Sequence, residues 1–200
     1  MKNSSVASVV LFAVFIGFAL GARSVLEIEW DTTITFFTVV SVFVALSLIA
    51  LSDTFGYVVL ETAFGDSFLS LYENFADYFE PQSHIGVLAG GLLAAAEELV
   101  FRGVILEVAA RYVGIPGAIL VSAVLFGAAH YLRGELRFFT LWAVLEGVLL
   151  GLVYVLTSLT VVAAVHALHD IGGFFLLSLL RSNSPPSIRK LLEDNVLQTS

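Results

Sequence analysis

The sequence contains no cysteine, which excludes a disulfide, a thiolate metal site and a cysteine nucleophile. It is also poor in basic charge, with nine Lys and Arg against seventeen Asp and Glu, and Lys2 and Lys190 are its only lysines. A formal charge of −8 argues against a nucleic-acid partner, and no basic cluster is present to make a strong anionic-lipid anchor. So few lysines among so many acids also suit solvent-facing loops in a high-salt interior. Internal repeats and low-complexity segments are absent as well.

What is present is apolar. Hydrophobic residues make up 58% of the 200 residues, and the mean hydropathy is +0.97. This composition describes an all-α polytopic transmembrane bundle, helical because every backbone polar group must be satisfied inside its own span. Six apolar segments reach or approach spanning length: Ser5–Ala22, Ile34–Leu51, Ile85–Ala109, Ala118–His130, Phe138–Leu156 and Leu159–Leu180. The first reads as a span rather than a cleaved signal peptide because it is long enough to cross. Between the second and third, Ser52–Ser83 interleaves aromatics with acids. Its Leu69, Tyr72, Phe75 and Phe79 share one helical face, so the expectation there is an amphipathic segment lying at the interface. Gly114-Ile115-Pro116-Gly117 is a turn with proline placed to start a helix. The sequence thus divides into N-terminal spans and the interfacial segment (1–83), a core (84–181) and a polar tail (182–200).

Orientation follows from the basic residues at the span ends. Lys2, Arg133, Arg137, Arg181, Arg189 and Lys190 fall on one side of a six-span chain, and Arg23 and Arg111 on the other. The positive-inside rule then puts both termini in the cytoplasm.

The third span carries the most expensive residues. Glu97, Glu98 and Arg102 interrupt the apolar run Gly90–Leu106, and each carries an insertion cost of about 2.5–3.5 kcal/mol at the centre of a span. Glu98 and Arg102 are one turn apart and about 40° around the axis, so they can pair. Glu97 is rotated by about 140° from Arg102, which makes it available as a base. Other polar groups lie within later spans: His130 one turn after Phe126, Glu146, and His166, His169 and Asp170 in the sixth. A carboxylate, imidazoles and an acid on three helices can converge only in the bundle interior. There, a carboxylate beside an imidazole can polarise a water for attack on a carbonyl while neighbouring donors hold the oxyanion. Plainer readings exist for each. Glu98–Arg102 can be a structural ion pair in either case, His130 an interfacial histidine, and His169 a packing residue, while Glu146 faces either the same cavity or a neighbouring helix. Ser122 lacks the strand-turn-helix setting of a serine nucleophile.

Glu97-Glu98-Leu99-Val100-Phe101-Arg102, Phe126-Gly127-Ala128-Ala129-His130 and His166-Ala167-Leu168-His169-Asp170 resemble, in order, the signature of the CPBP intramembrane proteases. That family (also called Abi) includes the CAAX prenyl endopeptidases and bacteriocin-processing enzymes. The resemblance covers about Gly86–Leu180, including a Gly147-x-x-x-Gly151 face and a Thr157-Ser158-Leu159 turn. It implies an endopeptidase in which Glu97 activates water with help from His130, His166 and Asp170 stabilise the oxyanion, and Glu98 with Arg102 supports the site. The partners it implies are membrane lipid and a peptide or prenylated protein. Asp170 stands where prenyl-processing members typically carry Asn. An ionised aspartate is a poor oxyanion partner, so Asp170 is protonated, or orients His166, or shares the site with a cation. Glutamate and histidine serve a metal-free mechanism, and zinc would equally accept Glu97, His130 and His166 with water in the fourth position. The rival readings are a non-enzymatic immunity or scaffold protein of the same fold and, more distantly, a proton-coupled transporter.

Overall fold

In the computed structural model, described over residues 3–64, 84–131 and 137–182, every element is helical. The order is α1 (Asn3–Leu26), α2 (Phe36–Phe64), α3 (His84–Val100), a π-helical turn (Phe101–Leu106), α4 (Glu107–Tyr131), α5 (Arg137–Leu156) and α6 (Leu159–Ser182). Helix α4 is interrupted at Gly114, whose φ of 71° and ψ of 170° are open to a residue without Cβ. The chain re-enters the helix at Ile115 with Pro116 in the first turn, where a missing N–H costs nothing. The expected turn is therefore present, and 107–113 prolongs the third span.

The distribution of side chains is that of a bundle immersed in lipid. Glu98, Arg102, Ser122 and His166 are buried, while Phe36, Phe37, Phe43 and Phe55 are each more than two-thirds exposed. Burying charge and exposing phenylalanine is unfavourable in water and favourable in hydrocarbon. Phe36–Gly56 and Ile85–Tyr131 are long and apolar enough to cross a membrane, and Val10–Leu26, Thr140–Leu156 and Leu159–Phe175 are shorter apolar helices. Helix α3 packs against α1 and α6, α4 against α5, and α2 against α6. The buried clusters mix the two ends of the chain: Ala19 and Ile28 with Val100 and Phe101, and Ala45 and Ile49 with Leu150 and Val162.

Local chemistry sets the helix ends. After α1, Glu27 adopts φ 52° and the Ile28 N–H reaches back to the Arg23 carbonyl at 3.0 Å, a left-handed helix stop. Thr35 caps α2: its Oγ1 accepts from the Thr38 N–H while the Thr38 Oγ1 accepts from the Thr35 N–H. In the same loop, the Thr33 N–H donates to Asp31 and holds that exposed carboxyl below its usual range. Ser158 caps α6 through the Val161 N–H.

One boundary expectation is corrected. Helix α2 does not stop at Leu51 but runs to Phe64, so Ser52–Phe64 is not part of a separate interfacial segment. Nothing between Leu51 and Phe64 breaks a helix except Gly56, which is tolerated, and the extension carries Asp53 into the bundle. The rest of the expected amphipathic segment (65–83), the loop with Arg133 and Glu135, and the tail from 183 lie outside the described residues.

The π turn places the charged residues. Widening a helix to i→i+5 bonding pulls carbonyls out of the regular ladder. Two of them find partners from other helices and loops. Ser122 Oγ on α4 donates to the Phe101 carbonyl at 2.8 Å, and Trp30 Nε1 from the α1–α2 loop donates to the Gly103 carbonyl at 2.9 Å.

Candidate active site

Glu98 and Arg102 are both fully buried. Arg102 Nη1 donates to Glu98 Oε1 at 2.8 Å, the pairing expected from their spacing. Its second terminal nitrogen, Nη2, donates to the Gly147 carbonyl at 2.8 Å. This second bond requires α5 to approach closely. A Cβ on Gly147 would come 3.0 Å from the Ala123 Cα, so glycine there lets α5 lie against α4. Glu98 Oε1 also accepts from His166 Nδ1 at 2.7 Å, tying α3 to α6. One carboxylate oxygen thus joins a guanidinium and an imidazole from two helices. This is the compensation a buried charge needs.

Phe126 explains its own place in the sequence motif. The ring is buried and serves as a plate for three polar groups. The Arg102 guanidinium lies 4.8 Å from its centroid, the His130 ring lies at 4.5 Å tilted by 53°, and His166 meets it edge-on at 5.7 Å. The Phe126 carbonyl accepts from His130 Nδ1 at 2.8 Å. A carbonyl can only accept, so Nδ1 carries the hydrogen and the lone pair of the neutral ring is on Nε2. Nδ1 of His166 likewise faces a carboxylate oxygen of Glu98, which directs Nε2 of that ring away from the ion pair. Fixing the outer nitrogen in this way orients an imidazole for work at the other.

Asp170 lies beyond His166, its Oδ1 3.8 Å from His166 Nε2, an ion-pair distance but too long for a hydrogen bond. The same oxygen is 3.4 Å from His169 Nδ1. His169 reaches further still: its Nε2 is 2.6 Å from Asp53 Oδ2 on α2, and its Nδ1 is 3.4 Å from Glu146 Oε1 on α5.

The structure joins Glu98, Arg102, His166 and Asp170 in one connected network, with His130 attached through Phe126. Glu97 is half-buried on α3, one residue before Glu98. Three participants are not identifiable from the sequence. Asp53 falls in the stretch expected to be interfacial, no spacing argument places Glu146, and His169 reads most simply as a packing residue. Ser122, which lacks a nucleophile's sequence setting, is the buried donor to the Phe101 carbonyl in the π turn. As for a metal, no three His, Cys, Asp or Glu side chains among the described residues are grouped to hold an ion. The Nδ1 atoms of His130 and His166 are both committed to protein acceptors.

The family model for Rce1-like type II CAAX prenyl endopeptidases matches residues 81–172. Over these residues the chain is similar to the Rce1-like family. The match runs from just before α3 into α6 and so contains Glu97, Glu98, Arg102, His130, His166 and Asp170. The likeness is to a family of membrane proteases. It leaves out α1 and α2, and with them Asp53. No curated protein and no solved structure matches the chain.

Proposed function

We propose that this Rce1-like chain is a multi-pass intramembrane endopeptidase that hydrolyses a peptide bond by a glutamate-activated water. The observation that carries the reading is the division of the carboxylate pair. Glu98 is fully buried and engaged by Arg102 and His166, and Glu97, half-buried at the adjacent position of α3, is assigned the base chemistry. In the proposed reaction, Glu97 takes a proton from a water oriented by His130 Nε2, and the oxygen attacks the scissile carbonyl carbon. The carbonyl π electrons become an oxyanion, held by an N–H at His166 Nε2. His166 has a carboxylate at each nitrogen, Glu98 at Nδ1 and Asp170 near Nε2, so the ring bearing both hydrogens satisfies both neighbours. When the tetrahedral intermediate collapses, the C–N bond breaks and the proton held by Glu97 passes to the leaving nitrogen. The products are a carboxylate and an amine.

The substrate class supported by the family is a prenylated C-terminal peptide, cut near the membrane interface from a cytoplasm-open cavity. With six spans, the count of basic residues supports both termini in the cytoplasm. A reporter fused after Ser200 is expected to be active on the cytoplasmic side, and activity only outside the cell reverses the orientation. Hydrolysis is tested in proteoliposomes with a farnesylated peptide. Glu97→Gln, nearly isosteric, should keep the thermal midpoint and lose about a thousandfold or more in rate, the scale of losing a general base together with its positioned water. A Glu97→Gln protein that cleaves normally refutes the assignment, and a wild-type protein that cleaves nothing favours the scaffold reading.

A further inference from the structure

A second cluster shares Asp170 with the Glu98 network and gathers Asp53, Glu146 and His169, which the proposed reaction does not use. Asp53 comes from α2, Glu146 from α5, and His169 and Asp170 from α6, so three helices meet at one imidazole. Its two nitrogens face carboxylate oxygens on opposite sides, Asp53 at Nε2 and Asp170 with Glu146 at Nδ1. A neutral imidazole has a single N–H and would present its lone pair to one of these carboxylates. The cluster therefore holds at least one proton more than a neutral ring supplies, and His169 is the basic side chain at its centre. Glu146 Oε1 is buried without a hydrogen bond, which makes the negative charge gathered here still harder to hold without that ring.

From this geometry we infer that Asp53 and His169 form a lock that makes helix α2 part of the catalytic machinery, with both acting as positioning residues for Asp170 and, through it, for His166. The lock rests on the proposed hydrolytic function for its catalytic consequence but not for its existence. Asp53 lies outside the family-matched residues, 116 positions from His169, and their 2.6 Å contact fastens an N-terminal helix to the helix that carries His166. His169 in turn holds the Asp170 oxygen that faces His166 Nε2. Without His169, Asp53, Glu146 and Asp170 confront one another across the same space and the imidazole between them is gone. Asp170 is then repelled from its place beside His166. The charged groups facing the lock are Asp53 on α2, Glu146 on α5, and His166 and Asp170 on α6, with Glu98 and Arg102 behind His166.

The test is a double-mutant cycle on the full chain, with Asp53→Asn, His169→Gln and the two combined. Two quantities are read: the thermal midpoint in one detergent, and the rate on a farnesylated peptide in proteoliposomes, per folded enzyme. His169→Gln should lower the midpoint and reduce kcat by about tenfold or more with KM little changed, since the lock positions groups without touching substrate. Adding Asp53→Asn removes one of the stranded carboxylates and should return the midpoint to that of Asp53→Asn alone and the rate to within about threefold of it. Simple additivity of the two substitutions overturns the lock, as does a His169→Gln protein that matches wild type. Recovery of the midpoint without the rate overturns the positioning role. If the wild-type chain hydrolyses nothing, the hydrolytic reading fails separately and the midpoint cycle alone decides: coupling supports the lock, and additivity overturns it.

Discussion

Two polar clusters occupy the interior of this bundle with opposite charge ratios. Around Glu98 a single carboxylate meets a guanidinium and an imidazole. Around His169 a single imidazole meets three carboxylates. The first is fully buried, with positive and negative partners in contact, so its members are difficult to remove one at a time. The second has side chains 12 to 30% exposed and carries more negative than positive groups. It is therefore held together by one cation and relieved by the loss of an anion. The Glu98 cluster fixes the frame of the site, whereas the His169 cluster adjusts it.

The largest effect should come from a matched pair of substitutions that sets the clusters against each other. Glu98→Gln leaves Arg102 buried without its anion and is expected to destabilise the fold by about 3–5 kcal/mol, seen as lost yield and a lower thermal midpoint. Glu146→Gln makes the same chemical change in the other cluster and removes one of three crowded carboxylates, so it should be neutral or stabilising, within about 1 kcal/mol. Equal losses from the two would erase the distinction.

How much of this the sequence reveals depends on distance along the chain. The Glu98–Arg102 pair is readable because both residues lie on one helix, four apart, where geometry alone brings them together. His166 is readable as a functional residue through its motif, but not its bond to Glu98, which spans 68 residues and depends on how α3 packs on α6. Asp53 is the clearest failure. The acids that follow Leu51 suggest a polar surface, yet no breaker interrupts the helix there, and only tertiary packing reveals a partner 116 residues away. No periodicity rule foresees the π turn either. Its sequence trace is limited to Gly103 and Ser122, both of which have simpler explanations in isolation.

Arg102→Lys should have an intermediate effect and sharpens the description of the first cluster. Arginine uses two nitrogens at fixed spacing, one for Glu98 and one for the Gly147 carbonyl, each at 2.8 Å. Lysine keeps the charge but has one nitrogen, on a stem that cannot reproduce the planar fork over the Phe126 ring. The variant should lose about 2–3 kcal/mol of stability, less than Glu98→Gln because no anion is stranded. An Arg102→Lys protein as stable as wild type would mean that charge alone, and not the bridge to α5, holds this cluster.

The smallest effect distinguishes support of the backbone from support of the reaction. Ser122 is fully buried and its hydroxyl donates to the Phe101 carbonyl, which the π turn has displaced from the helical ladder. Ser122→Ala removes the donor and leaves that carbonyl buried without it, a cost of about 1–2 kcal/mol. The turn is held at a second point, through Trp30 and Gly103, so it should relax without unwinding. Arg102, one residue after Phe101, would keep both of its hydrogen bonds. The expected result is a lower thermal midpoint with kcat per folded enzyme close to wild type. A collapse of kcat with the midpoint unchanged would instead make Ser122 a participant in the chemistry, and would move the working centre of the site from the Glu97 face of α3 to the middle of α4.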